Sequence, residues 1–202
     1  MKKAFAVLLV FLFVCGLSFA EDAVSSATLR IEHLPGVETQ DNGILVVYFS
    51  PDDTVRAAAY TIASALSADL FEIEPVEPYT ADDLNYFNSR SRSMVEMGDS
   101  LARPQITALP DDLAPYHTII LCYPVWGGQA PRIISTFLES ADLAGKTLIP
   151  FATSNSSGIG SSGRALRSLT DDSVTWQEGT GIRKGATEED IRLWAESLGL
   201  GN

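Results

Sequence analysis

The chain has 202 residues, with 14 basic and 26 acidic side chains and a formal net charge of −12. A surface this acidic repels nucleic acid and anionic lipid, which excludes both as partners. Two histidines and two cysteines, set far apart, are too few for a metal centre, and none is expected.

The first twenty residues read as an export leader. Lys2 and Lys3 precede an almost wholly apolar run from Ala4 to Leu17. Ser18-Phe19-Ala20 then places small residues at the −3 and −1 positions of a cleavage site before Glu21. The run is shorter than the ~20 residues of a bilayer span, which disfavours a retained anchor. Lipid attachment at Cys15 is disfavoured by the bulk of Phe13 and Val14 before it. The expected location is periplasmic or extracellular, with no stable membrane span after cleavage. Removing Lys2 and Lys3 leaves 12 basic against 26 acidic side chains, a net charge of −14. Only Cys122 then remains, inside an apolar run, so no intrachain disulfide forms and a buried, inert thiol is expected.

Residues 21–42 are polar and aperiodic, a tether or an edge strand formed by Ala27 to Glu32. Residues 43–202 make one domain, long enough to bury a sizeable core. Within it, Ile44 to Phe49 is a continuous apolar run of the kind buried on both faces of a parallel sheet. Thr54 to Ser67 then repeats apolar residues at helical spacing: Val55, Ala58, Ala59, Ile62, Ala63 and Leu66. Leu70 to Ile73 is a short second strand. Thr80 and Asp83 have capping-box spacing, which predicts a helix from about Ala81 to Met97 burying Leu84, Phe87 and Met94.

Thr118 to Tyr123 is the third strand, and Ile133, Ile134, Phe137 and Leu138 line the helix after Pro131. Thr147 to Ala152 is the fourth strand, and Ile159, Leu166 and Leu169 suggest the helix that follows. Val174 to Gln177 is a short fifth strand. Thr187, with Asp190 three residues on, caps a final helix facing Ile191, Trp194 and Leu198 inward. Alternating strands and helices predict an open parallel sheet with right-handed crossovers and helices on both faces.

Strands one, three and four end on the same edge of such a sheet, and each ends in an unusual loop. The loops are SPDDT at 50–54, PVWGG at 124–128 and TSNSSG at 153–158. They supply hydroxyls, free N–H groups, flexible glycines and a large aromatic, a set suited to a flat ring with a phosphate at one end.

These segments resemble the flavodoxin-like proteins, specifically a bacterial branch carrying YP-x-W-G and SG-IG-S motifs. The similarity lies in ILVVYFS at 44–50, ADLFEIEPVEPY at 68–79, RP at 103–104, YPVWGGQAP at 123–131, TFLES at 136–140 and LAGKTLIPFATSNSSGIGSS at 143–162. It covers roughly Ile44 to Leu198. The resemblance implies a doubly wound α/β fold with a five-stranded parallel sheet of order 2-1-3-4-5. It also implies flavin mononucleotide (FMN) at the carboxyl edge. The phosphate would meet Ser50, Thr54 and Val55. One side of the ring would meet Pro124, Val125, Trp126, Gly127 and Gly128, and the other Thr153, Ser154, Asn155 and Gly158. No catalytic side chain is implied, because the flavin carries the chemistry.

The first loop departs from the family pattern, in which Ser or Thr and any one residue precede Thr-Gly-Asn-Thr. Here Ser50-Pro51-Asp52-Asp53-Thr54 is a residue shorter, lacks glycine and adds two carboxylates. Pro51 also removes one N–H donor. A carboxylate ~5 Å from one phosphate charge costs roughly 3 kcal/mol at an effective dielectric of ~20, and under ~1 kcal/mol if it points into water. Either aspartate also suits the cap of the helix that follows.

Two functions are therefore expected. One is an exported, FMN-dependent oxidoreductase or electron carrier serving a quinone, a small molecule or a basic redox partner protein. The other is a binding module that has kept the fold and lost the flavin. The leader has no twin arginine, so export of an unfolded chain would require flavin capture after translocation.

Overall fold

The computed structural model describes residues 31–34, 42–155, 158–183 and 185–200. The leader expected over residues 1–20, residues 27–30 of the suggested edge strand, and Ser156 and Ser157 of the third loop lie outside these residues. In chain order the elements are β1 (Ile44–Tyr48), α1 (Thr54–Leu66), β2 (Asp69–Glu72), α2 (Arg92–Gly98), β3 (Thr118–Pro124), α3 (Arg132–Ser140), β4 (Thr147–Ser154), α4 (Ser162–Arg167), β5 (Thr175–Trp176), β6 (Thr180–Arg183) and α5 (Glu188–Ser197). No described helix is long and apolar enough to cross a membrane.

The strands pair in parallel in the order β2-β1-β3-β4-β5. The apolar runs are continuous because both sheet faces are covered. On one face Ile44, Val46, Tyr48, Ile120, Cys122, Ile149 and Phe151 pack against α1 and α5. On the other, Leu45, Val47, Phe49, Ile119, Leu121, Tyr123 and Leu148 pack with Ile133, Ile134 and Phe137 of α3 and Leu166 of α4. Burial pushes the Cys122 thiol well above the ordinary range, so it stays protonated. Outside β2, Glu32 makes a single antiparallel bridge to Leu70, with N–H to O distances of 2.8 and 2.9 Å.

The fifth position of the sheet is split into two pieces. β5 pairs with Thr147 and Leu148, whereas β6 pairs with Phe151 to Ser154. Pro150 lies between them and causes the break. Gln177 N–H donates to Leu148 O, so the alternating backbone groups of residues 148, 150 and 152 face this edge. Pro150 has no N–H to offer there. Gly179 fills the gap, and a Cβ on it would lie 2.0 Å from Pro150 O. The fifth strand expected over Val174 to Gln177 is thus two residues long, and its continuation in β6 carried no apolar signal.

The helix expected from Ala81 to Met97 does not form as one element. The capping box does: Thr80 N–H and Oγ donate to Asp83 Oδ2, and Asp83 N–H donates to Thr80 Oγ. Turns follow, because Asn85 and Asn88 side chains capture the N–H groups of Phe87 and Arg90. Helix begins only at Arg92. Phe87 is 84% exposed, Met94 is 37% exposed and Leu84 is half-buried, so the predicted buried stripe is absent. By contrast, Thr187 and Asp190 make a full capping box that starts a real helix, with Ile191 and Ala195 buried against α1.

At the opposite edge from the three loops, Lys146 is 8% exposed and donates to Leu113 O and Tyr116 O, each at 2.7 Å. The ammonium ties the 110–117 segment to the start of β4. Lys146→Met would leave both carbonyls without their donor and is expected to cost about 2 kcal/mol in urea unfolding.

Candidate functional site

The parallel register aligns Tyr48 of β1 with Glu72 of β2 and Cys122 of β3, and Pro124 of β3 with Thr153 of β4. The three expected loops therefore emerge side by side.

In the first loop, Asp53 takes the left-handed backbone conformation at φ 61°. That is the role a glycine would fill, and an aspartate tolerates it better than most residues. Asp53 starts α1 but makes no side-chain capping bond; its carboxylate pairs with the Arg56 guanidinium. Arg56 also binds Glu72 Oε1 at 2.7 Å, and Glu72 Oε2 accepts from the Tyr48 hydroxyl at 3.0 Å. The bond to Glu72 raises the Arg56 pKa further, and burial followed by the Glu72 charge pushes the Tyr48 hydroxyl up. Asp52 Oδ1 accepts from Thr54 N–H at 3.3 Å, and Ser50 Oγ accepts from Arg56 N–H at 2.8 Å. Thr54 Oγ and Val55 N–H have no partner among the described residues.

The second loop is a two-residue hairpin. Trp126 and Gln129 exchange N–H to O bonds of 2.9 and 3.0 Å around Gly127 and Gly128, both at positive φ. A type I′ turn needs that conformation at both central positions, which explains the glycine pair. Val125 N–H donates to Thr153 O at 2.9 Å. Of the backbone donors expected to meet a ring, those of Val125 and Trp126 are therefore taken. Those of Gly127 and Gly128 have no partner among the described residues.

The turn that continues the third loop, at residues 158–161, clasps the second. Ser161 N–H and Oγ both donate to Gly128 O, at 3.0 and 3.1 Å. Contact is so close that a Cβ on Gly160 would lie 2.4 Å from that oxygen. Beneath them, Tyr123 and Ser162 hydroxyls bond at 2.9 Å, with burial the main cause of a Tyr123 pKa pushed up to about 12. Gly158 has positive φ, Asn155 is exposed and Thr153 is buried. Ser154 Oγ is buried with no hydrogen-bond partner among the described residues.

Trp126 belongs to an aromatic wall. Its ring meets Phe49 and Tyr79 edge-on, with centroids 5.9 and 5.4 Å away, and Phe49 and Tyr79 meet at 5.7 Å. The Arg92 guanidinium lies 4.1 Å from the Tyr79 ring centre, and the Tyr79 hydroxyl donates to Glu96 at 2.6 Å. The wall ties the second loop to Phe49 at the end of the first apolar run and to Tyr79 beyond β2. Tyr79, Arg56 and Ser161 were missed as site residues. Arg56 was signalled only by its three-residue offset from Asp53, a helical neighbour distance. Tyr79 was signalled only by its place in the EPVEPY run.

The site fits a flavin unevenly. At the ring end, an unmatched buried hydroxyl at Ser154 and two unmatched N–H groups at Gly127 and Gly128 offer bonds for a heteroaromatic edge. At the tail end, the chain's own oxygens already hold two α1 donors. Among the described residues there, Asp52, Asp53 and Glu72 outnumber the one cation, Arg56.

The sheet order, the helices on both faces and the three clustered loops define a flavodoxin-like α/β protein. The chain belongs to the flavodoxin family, whose sequence profile matches residues 43–198. It is similar to a protein from Bacteroides eggerthii provisionally termed a flavoprotein. The identity is 41%, covering 77% of this chain and 97% of that one, with a TM-score of 0.70. A counterpart from Bacteroides uniformis, termed in the same provisional way, has 42% identity over 76% and 97%, also with a TM-score of 0.70. A flavoprotein from Lactobacillus acidophilus, described in complex with FMN, shares the fold at 19% identity over 67% and 90%, with a TM-score of 0.57. Among curated proteins none matches.

Proposed function

We propose that this chain is an exported flavin-binding redox protein that passes electrons to or from a quinone, a small molecule or a partner protein. Support comes chiefly from Ser154, whose buried hydroxyl lacks a partner among the described residues at the end of β4. A ring edge at that position would complete it. Membership of the flavodoxin family points the same way.

The family's form of the cofactor is FMN. In this reading Pro124, Val125, Trp126, Gly127 and Gly128 flank one side of the ring, and Thr153, Ser154, Asn155 and Gly158 the other. Ser50, Thr54 and Val55 lie toward the tail. Bound flavin supplies reversible electron uptake. The chain's own part is to hold the ring at the rim, keep water from its edge and set the surrounding charge. A net acidic surround disfavours added negative charge on the reduced ring and lowers its potential relative to free flavin.

The occupied first loop favours a second reading, a module that has kept the fold and lost the cofactor. The two separate cleanly. Protein isolated from its native compartment is expected to be yellow, to release flavin on denaturation and to take it up again. A colourless preparation that FMN and riboflavin both fail to reconstitute would overturn the redox reading.

A further inference from the structure

We infer that the first loop gives no advantage to a phosphorylated tail, so that this chain takes riboflavin about as readily as FMN. This rests on the flavin reading above and concerns the other end of the same site.

A phosphate seat at a helix start works by presenting unpaired N–H groups and net positive potential. The start of α1 lacks most of both. Pro51 has no N–H. Thr54 N–H is held by Asp52 Oδ1, Arg56 N–H by Ser50 Oγ, and Ala57 N–H by Asp53 O. Among the described residues Val55 N–H is left in the first turn, with the N–H groups of Asp52 and Asp53 just before it, each on a residue that carries a carboxylate. The one cation there among the described residues, Arg56, is committed on two sides, to Asp53 and to Glu72. Glu72 is itself fixed by the Tyr48 hydroxyl. Among the described residues three carboxylates face one guanidinium, a net two negative charges near a phosphate's place, partly screened by water at the exposed Asp52 and at Asp53, whose side chain is 80% exposed.

Rotating Asp52 away would free Thr54 N–H but would not remove its charge. Freeing Arg56 for a phosphate would strand the carboxylates of Asp53 and Glu72 without their cation. The gain from any new phosphate bond is therefore offset by a bond lost and a charge exposed. A tail of neutral hydroxyls meets no such opposition. It can donate to Asp52 and accept from Thr54 Oγ without displacing Arg56.

The test is a pair of fluorescence-quenching titrations, of FMN and of riboflavin, against flavin-stripped full-length protein at low ionic strength. The expected dissociation constants agree within about threefold. By contrast, two charge-assisted bonds to a phosphate would separate them on the order of 100-fold or more. A preference for FMN above about tenfold overturns the inference while leaving the flavin reading intact. Failure of both flavins to bind overturns both.

The doubly neutralised variant Asp52→Asn with Asp53→Asn, checked for folding by circular dichroism, tests the cause. Asparagine keeps the shape and tolerates the left-handed backbone. The ratio of FMN to riboflavin affinity should rise about fivefold or more, whatever riboflavin loses at the hydroxyl bond to residue 52. An unaltered ratio would overturn the charge explanation.

Discussion

Gly181→Ala is expected to destabilise the fold by about 3 kcal/mol and to abolish flavin retention. A Cβ at Gly181 would lie 2.0 Å from Ile159 N and 2.3 Å from Gly158 C, both backbone atoms that cannot swing aside. Relief requires β6 to leave β4 or the third loop to lift off the sheet. Lifting the loop breaks the clasp of Ser161 on Gly128, and loss of β6 removes the strand beside Ser154, which pairs with Arg183 in the sheet register. Stability should be read by urea unfolding and flavin affinity by titration, with Gly163→Ala as the control. Gly163 lies within α4 and has nothing within 4 Å of its added Cβ. Its replacement should be neutral or mildly stabilising, as alanine favours helix over glycine. Near-normal flavin affinity in Gly181→Ala would show that the third loop does not shape the site.

Trp126→Ala is expected to cost about 3 kcal/mol, somewhat below a fully buried tryptophan because the residue is half-buried. It removes the shared member of two edge-on aromatic contacts, those with Phe49 and Tyr79. Each such contact is worth about 1 kcal/mol beyond the area it covers. Flavin affinity should fall at least tenfold, because the wall that fixes the second loop against Phe49 and Tyr79 is lost. Trp126→Phe should keep most of the stability and most of the affinity. If alanine lowers stability and leaves affinity untouched, Trp126 is a packing residue alone.

The neighbouring glycines show how packing and site-building share residues. Gly127 and Gly128 serve the hairpin turn, Gly160 lets its segment approach the hairpin, and Gly181 lets β6 lie against Gly158 and Ile159. The sequence marked only the hairpin pair, and as flexible backbone at the sheet rim rather than as a turn. Close approach depends on what another segment places opposite, and nothing in the local sequence states it.

The apolar runs at 44–49, 118–123 and 147–152, with helical repeats between them, determined a parallel sheet covered on both faces. Burial on both sides demands uninterrupted apolar residues, and that demand is written locally. The capping box at Thr187 was equally legible and formed with its helix. The identical device at Thr80 formed without one, since Asn85 and Asn88 captured the next amides and no core lay beneath Phe87.

The tertiary structure alone decided the fate of the two loop aspartates. Asp52 turned back on Thr54, and Asp53 turned to Arg56, which Glu72 on the neighbouring strand holds in place. It alone split the fifth strand at Pro150 and set Tyr79 against Trp126. Each outcome depends on side chains far apart in the chain meeting at one rim. Such meetings follow from register and crossover, which no short window of sequence contains.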